Sequence, residues 1–338
     1  MDSMQLEPTM PGEYAIGVDF GGTLVKYVVV TPAGEILRQF TTGGDVSPHL
    51  LETTAPLHDA GAGILPPISP SPSLVEAQIH SESLRRVLAN LQNEQGRPAS
   101  TIGLAAPGLT AREGWSIAYM PGRLNWLEGL NWTEALQSPV PVPVLNDSHA
   151  ALMGEVWQGS ARGLSEVILL TLGTGVGGAI LSGGRLLKGH IGRAGHLGHL
   201  SLNPQGAPDI CGTPGSLEDA IGECTLPARS GGRYTSTREL VEDFKRGDSD
   251  AAAIWIRSVR ALACGIASLI NILDPEAVVI GGGVAAAGRL LFVPLEDILS
   301  EVEWRPGGHR VRILRAAAGD YAGALGAAYY ALGGGSAT

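Results

Sequence analysis

One design occurs twice in this chain, and it constrains the fold more than any other feature. An apolar run, Tyr14 to Val18, ends in Asp19. The turn residues Gly21, Gly22 and Thr23 come next, and a second apolar run, Tyr27 to Val30, follows Lys26. In the second half Glu166 to Leu172 forms a strongly apolar run. It enters Gly173, Thr174, Gly175, Val176, Gly177 and Gly178, and leaves through Ala179 to Leu181. Strand, glycine turn, strand, met twice, points to two related halves. Glycine admits positive φ and close approach, so amide N–H groups in such turns can converge on a phosphate. Either turn alone reads equally well as an ordinary hairpin, because short glycine motifs are weak evidence.

The intervening sequence alternates strands and helices. Ile36 to Phe40 reads as a strand, and residues 43 to 73, rich in Gly, Pro and Ser, as a long surface loop. Leu74 to Gln95 has helical apolar spacing. Thr101 to Ala106 is a strand leading to Gly108, and Pro141 to Leu145 a strand leading to Asn146 and Asp147. Ser148 to Gln158, Thr237 to Gly247 and Asp250 to Leu273 read as helices. Ala277 to Ile280 is a strand entering Gly281, Gly282 and Gly283. A helix over 285–299, a strand from Arg310 to Arg315 and a helix from Ala322 to Leu332 complete the chain. Trp115, Trp126 and Trp132 read as packing residues, and Cys224 and Cys264 as buried small hydrophobes.

Composition narrows the function. The net charge of −10 argues against a nucleic-acid or anionic-membrane partner. Three cysteines give no disulfide framework and suit a reducing cytoplasm. Residues 1 to 12 read as a loose polar leader without the pattern of a signal peptide. The apolar runs read as broken by Gly and charges well short of the ~18 residues of a membrane span, so none is expected.

Asp19 to Lys26, Asn146-Asp147, Gly173 to Gly178 and Gly281 to Gly283 each follow an apolar strand. In an open α/β sheet such ends converge on one cleft. Two glycine turns can grip a polyphosphate, with Asp19 holding a hydrated Mg²⁺ and Thr23 and Lys26 adding donors. The third glycine cluster lets a nucleoside lie against the backbone. Asp147 suits a general base that takes a hydroxyl proton during in-line attack; its other reading is a helix N-cap.

These motifs together resemble the ROK (repressor/open-reading-frame/kinase) family of sugar kinases, within the sugar kinase/Hsp70/actin superfamily. The likeness covers roughly residues 14 to 332. It rests on Asp19-Phe-Gly-Gly-Thr23 with Lys26, Asn146-Asp147, Leu172 to Gly178, the His199/Cys211/Glu218 block, and Asp274 to Gly283. The resemblance implies two actin-like (ribonuclease H-like) α/β domains, 13–150 and 151–333, with the ligand cleft between them and the final helix able to pack back onto the first. It implies a glucokinase-like enzyme using ATP and Mg²⁺, Asp147 as base, a hexose held by Gly108, Asn146, His199 and Glu218, and a homodimer. Alternatives are a polyphosphate-dependent glucokinase and a catalytically weak sugar-binding or regulatory relative. Repressor members carry a DNA-binding module ahead of the kinase-like part, for which the stretch before Tyr14 is too short.

Two departures bear on specificity and metal. His196 stands where relatives usually have a glutamate, and Arg123 or Asn125 takes the place of their sugar-loop asparagine, giving a more basic pocket. The zinc block survives only as Asp209, Cys211 and Ser216 beside His199. Two of three thiolates are gone, so no structural zinc is expected; otherwise His199, Asp209 and Cys211 would be its ligands.

Overall fold

The structure, a computed structural model, describes residues 12–21, 24–43, 72–120 and 124–335. The leader, most of the expected 43–73 loop, and Gly22, Thr23 and Arg123 lie outside the described residues. The first half contains β1 (Ala15–Phe20), β2 (Leu24–Val30), β3 (Ile36–Gly43), α1 (Pro72–Gln95), β4 (Thr101–Ala106), the small hairpin β5 (Leu109–Thr110) and β6 (Ile117–Tyr119), α2 (Trp132–Ala135), and β7 (Val144–Asn146). After α3 (Asp147–Gln158) come β8 (Val167–Leu172), β9 (Val176–Ser182), β10 (Arg185–Leu186), α4 (Leu217–Ile221), α5 (Leu226–Arg229), α6 (Thr237–Lys245), α7 (Ser249–Leu273), β11 (Ala277–Gly281), α8 (Arg289–Val302), β12 (Arg312–Arg315) and α9 (Ala322–Ala331).

The two halves share one topology. The first sheet runs β3-β2-β1-β4-β7 and the second β10-β9-β8-β11-β12. In each, a hairpin of the repeated strand–turn–strand unit supplies the central strand, and two further strands join parallel to it. Parallel neighbours require crossovers, which the helices provide. One face of the first sheet packs on α1, with Trp126 and Trp132 in the core; one face of the second packs on α7 and α8.

Helices α3 and α9 fill the space between the sheets. Ala150, Leu152 and Met153 of α3 share a core cluster with Ala105 and Leu145 of the first sheet and with Leu169 and Leu181 of the second. Helix α9 lies against β1 and β4 because both strands carry glycine there. A Cβ on Gly17 would strike the Ala324 carbonyl, and one on Gly103 the Ala327 carbonyl. The α9 residue Gly326 likewise admits the Ala150 carbonyl of α3. Backbone thus packs on backbone where the halves meet.

Several expectations need correction. Cys224 and Cys264 are exposed, not buried. On α7, Cys264 falls off the apolar stripe that buries Leu262, Ala263 and Ile266. The helix expected over 285–299 divides: a 3₁₀ turn covers Gly283–Ala287, Gly288 takes positive φ, and α8 starts at Arg289. The last strand begins at Arg312 rather than Arg310. Helix α7 is, by length and composition, apolar enough to cross a membrane, contrary to the sequence reading; its apolar side forms the core of the second half.

Candidate active site

Asp19 and Lys26 are paired across the β1–β2 hairpin, and Gly21 N donates to Leu24 O (2.9 Å) to close the turn. Pairing at a shared register puts both side chains on one face, where they line a cavity of about 450 Å³ together with Asp147, Thr171 and Gly281 to Gly283. Gly323, at the start of α9, leaves room for the Asp19 carboxylate; a Cβ there would lie 2.6 Å from its Oδ2. Burial, then the Asp147 charge, pushes the Asp19 pKa up to about 7, against the opposing pull of Lys26.

Asp147 is the first residue of α3 and is exposed to this cleft. The capping role belongs to its neighbour. Asn146 Oδ1 accepts from Ser148 N (3.0 Å) and His149 N (3.3 Å), while its Nδ2 donates to Gly108 O (3.1 Å). Asp147 Oδ1 also accepts from Ser148 N (2.7 Å), which orients the carboxylate. The cap reading thus falls mainly on Asn146, and its contact with Gly108 ties β7 to the end of β4.

The second glycine turn joins β8 to β9 through Gly173 N donating to Gly175 O (2.9 Å). Gly177 lies where a Cβ would collide with Ser148 Oγ and Thr171 Oγ1, so the turn sits directly behind the start of α3. Thr174, at its tip, is exposed. Glu218 accepts from Val176 N (2.9 Å) and occupies the space a side chain on Gly175 would need. Glu218 therefore braces the turn. Gly282 takes φ +84° and packs against the Leu172 carbonyl, while Gly283 faces open space.

A second cavity has a volume of about 710 Å³. Gly108, Leu109, Tyr119, Arg193, His196 and His199 are among its lining residues. Asn125 is exposed in a short 3₁₀ turn and does not line it. Burial, then the neighbouring His199, lowers the His196 pKa, and Asp147 partly opposes this. Behind it, His149 Nε2 donates to Ala194 O (2.8 Å), and burial pulls the His149 pKa down to about 4.

Beside this cavity His199, Asp209 and Cys211 bring three donor atoms within 4.8 Å of one another. His199 Nδ1 is bonded to Asp209 Oδ2 (2.7 Å), and Asp209 Oδ1 accepts from Cys211 N and Thr213 N (both 2.9 Å). Burial works against ionising Asp209, but these bonds and the Ser216 hydroxyl hold its pKa below the ordinary carboxylate value. Ser216 also caps α4 by accepting from Asp219 N (3.2 Å). Among the described residues the cluster offers three donors, with an alcohol in the fourth place. That set does not fit a closed structural zinc site, which requires four good ligands.

Sequence reasoning missed Glu155, His149 and Arg193. Glu155 follows Asp147 and Ala151 at steps of four, and all three line the cavity that holds Asp19. That periodicity was available in the sequence. His149 and Arg193 carried no comparable signal.

Known proteins are similar to this chain in sequence and fold. Residues 74–333 match the model of the ROK family. The chain is 31% identical over 309 residues to a glucokinase of Thermotoga maritima, covering 85% of this chain and 87% of that enzyme. Its fold is similar to the ROK hexokinase from Thermus thermophilus (TM-score 0.76, 29% identity, 94% of this chain and 97% of that one). It is also similar to a ROK family glucokinase from Streptomyces griseus solved with glucose and AMPPNP (TM-score 0.69, 26% identity, 95% and 100%). The chain belongs to the ROK family, and its fold is the two-domain actin-like α/β fold of those kinases.

Proposed function

We propose that this protein is an ATP-dependent sugar kinase, glucokinase-like, which transfers the γ-phosphoryl group to a hexose hydroxyl with Asp147 as general base. The observation that carries the reading is the β7–α3 junction. Asn146 reaches Gly108 on the wall of one cavity, and the next residue, Asp147, lines the other. A hydroxyl in the first cavity and a phosphate in the second would meet at that carboxylate, the geometry required for proton removal during in-line attack. The relatives support the same chemistry: enzymes named glucokinase, and one structure holding glucose with a non-hydrolysable ATP analogue.

The Asp19 carboxylate fits a divalent cation. It lines a polar cleft with Asp147, and burial, then the Asp147 charge, raises its pKa despite the pull of Lys26. When bound with the nucleotide, Mg²⁺ would offset phosphate charge. The turns at Gly21 to Thr23 and Gly173 to Gly177 would supply amide donors to the phosphates, Lys26 a cation, and Gly281 to Gly283 a side-chain-free floor for the nucleoside. In this reading the domains are 13–150 and 151–333, with α9 returning to the first.

The test is Asp147→Asn, assayed by ADP release with glucose. We expect kcat to fall by about 10²–10⁴-fold with an unchanged circular dichroism spectrum and melting temperature. Undiminished turnover would exclude Asp147 as base.

A further inference from the structure

We infer that the larger cavity selects a hexose derivative carrying an anionic group at the end of the sugar remote from the reacting hydroxyl. The inference rests on the kinase reading above, which places that hydroxyl at Asp147. Three observations support it. First, among the described residues no carboxylate lines the cavity, although the protein carries a net charge of −10. Second, Arg193 lines it and is exposed, and among the described residues its guanidinium has neither an ion-pair partner nor a side-chain hydrogen bond. Third, His196 lines it with a buried Nε2 that has no partner.

A buried polar atom without a partner is costly unless a ligand or water satisfies it. His196 itself lines the cavity, so a ligand seated there lies against this ring. The unpaired Arg193 guanidinium on the wall of the same cavity offers the fork that carboxylate and phosphate oxygens accept. Leu109, Tyr119 and Leu197 supply apolar walls for a ring face. Arg193 lines this cavity and Asp147 the phosphate-side one, which sets the cation apart from the carboxylate that takes the hydroxyl proton. Carboxylate and phosphate share the required chemistry.

The experiment compares glucose, N-acetylglucosamine, gluconate and glucose 1-phosphate, all of which keep the same primary hydroxyl, by ADP release. Binding of each sugar to Asp147→Asn is measured in parallel by calorimetry. We expect kcat/KM for gluconate or glucose 1-phosphate to exceed that for glucose at least tenfold. Which of the two wins identifies carboxylate or phosphate as the group read. Arg193→Gln should lower that ratio at least tenfold, chiefly through KM. Equal or better turnover of the neutral sugars overturns the inference and leaves the kinase reading intact. If no sugar is turned over the kinase reading fails, and the calorimetric preference then decides the pocket by itself: tighter binding of the anions upholds it, and equal or weaker binding overturns it.

Discussion

Asp19 illustrates what a residue's neighbours add to its chemistry. In sequence it is an acidic residue before a glycine turn. In the fold it faces Asp147, and burial together with that charge raises its pKa from 3.8 to about 7. A group with a raised folded-state pKa holds its proton in the native protein where the unfolded chain has released it. Stability of the free protein should therefore decline as pH rises from about 4 through 7. Asp19→Asn removes this term. We expect it to stabilise the unliganded protein at pH 8 by on the order of 1–2 kcal/mol, discounted for water in the open cleft, and to give no gain at pH 4. Urea titrations at the two pH values check this; an equal effect at both would refute it. The variant should also lose most Mg²⁺-nucleotide binding. The acidic residue was legible from its motif. Its ionisation was not, because the causes are its burial in the fold and then a carboxylate far away in sequence.

At the scale of elements, the loop from His199 to Ser216 is tied together by hydrogen bonds centred on Asp209. Asp209 is buried and accepts from His199, Cys211 N and Thr213 N. We propose that the loop needs no zinc. Purified protein should then contain well under one zinc per chain, and chelator should leave its melting temperature unchanged. Asp209→Ala leaves two half-buried amides and the His199 ring without their acceptor and should cost about 2 kcal/mol in chemical denaturation. Stoichiometric zinc would sink the proposal. The spacing of this block made the loss of thiolates visible in the sequence, since ligand types can be read directly. The crossing of α3 and α9 was less visible. Gly17, Gly103 and Gly326 read as glycines inside regular elements, and only the fold shows that each admits a carbonyl of a partner helix. Gly326→Val should destabilise the protein by about 3 kcal/mol or more, because backbone rather than a movable side chain fills the space. A melting temperature within a degree of the parent would contradict this packing.

Over the whole molecule, the chain crosses between the halves twice. It leaves the first sheet through α3 toward β8 and returns through residues 316–321 into α9. Glu155 joins the two crossings. The side chain is buried and accepts from Ser160 N (2.8 Å) and Ser160 Oγ (3.0 Å) on the outgoing segment, and from Ala317 N (2.9 Å) and Ala318 N (2.8 Å) on the returning one. The same residue lines the phosphate-side cavity at the helix face that begins with Asp147. A clamp at this place ties the outgoing and returning segments together and so couples the stability of the two sheets. The repeated hairpins made two related halves legible in sequence. The clamp was not, since its donors are backbone amides that no residue type announces. Glu155→Ala should leave those amides unpaired, cost about 3 kcal/mol or more, and raise KM for ATP together with a fall in kcat. Glu155→Gln keeps an acceptor and should recover part of both. The parent should unfold in one calorimetric transition, with the alanine variant showing a lower and broader one as the halves uncouple. A single transition at the parent temperature, with unchanged kinetics, would show that the sheets are held together by α3 and α9 packing alone.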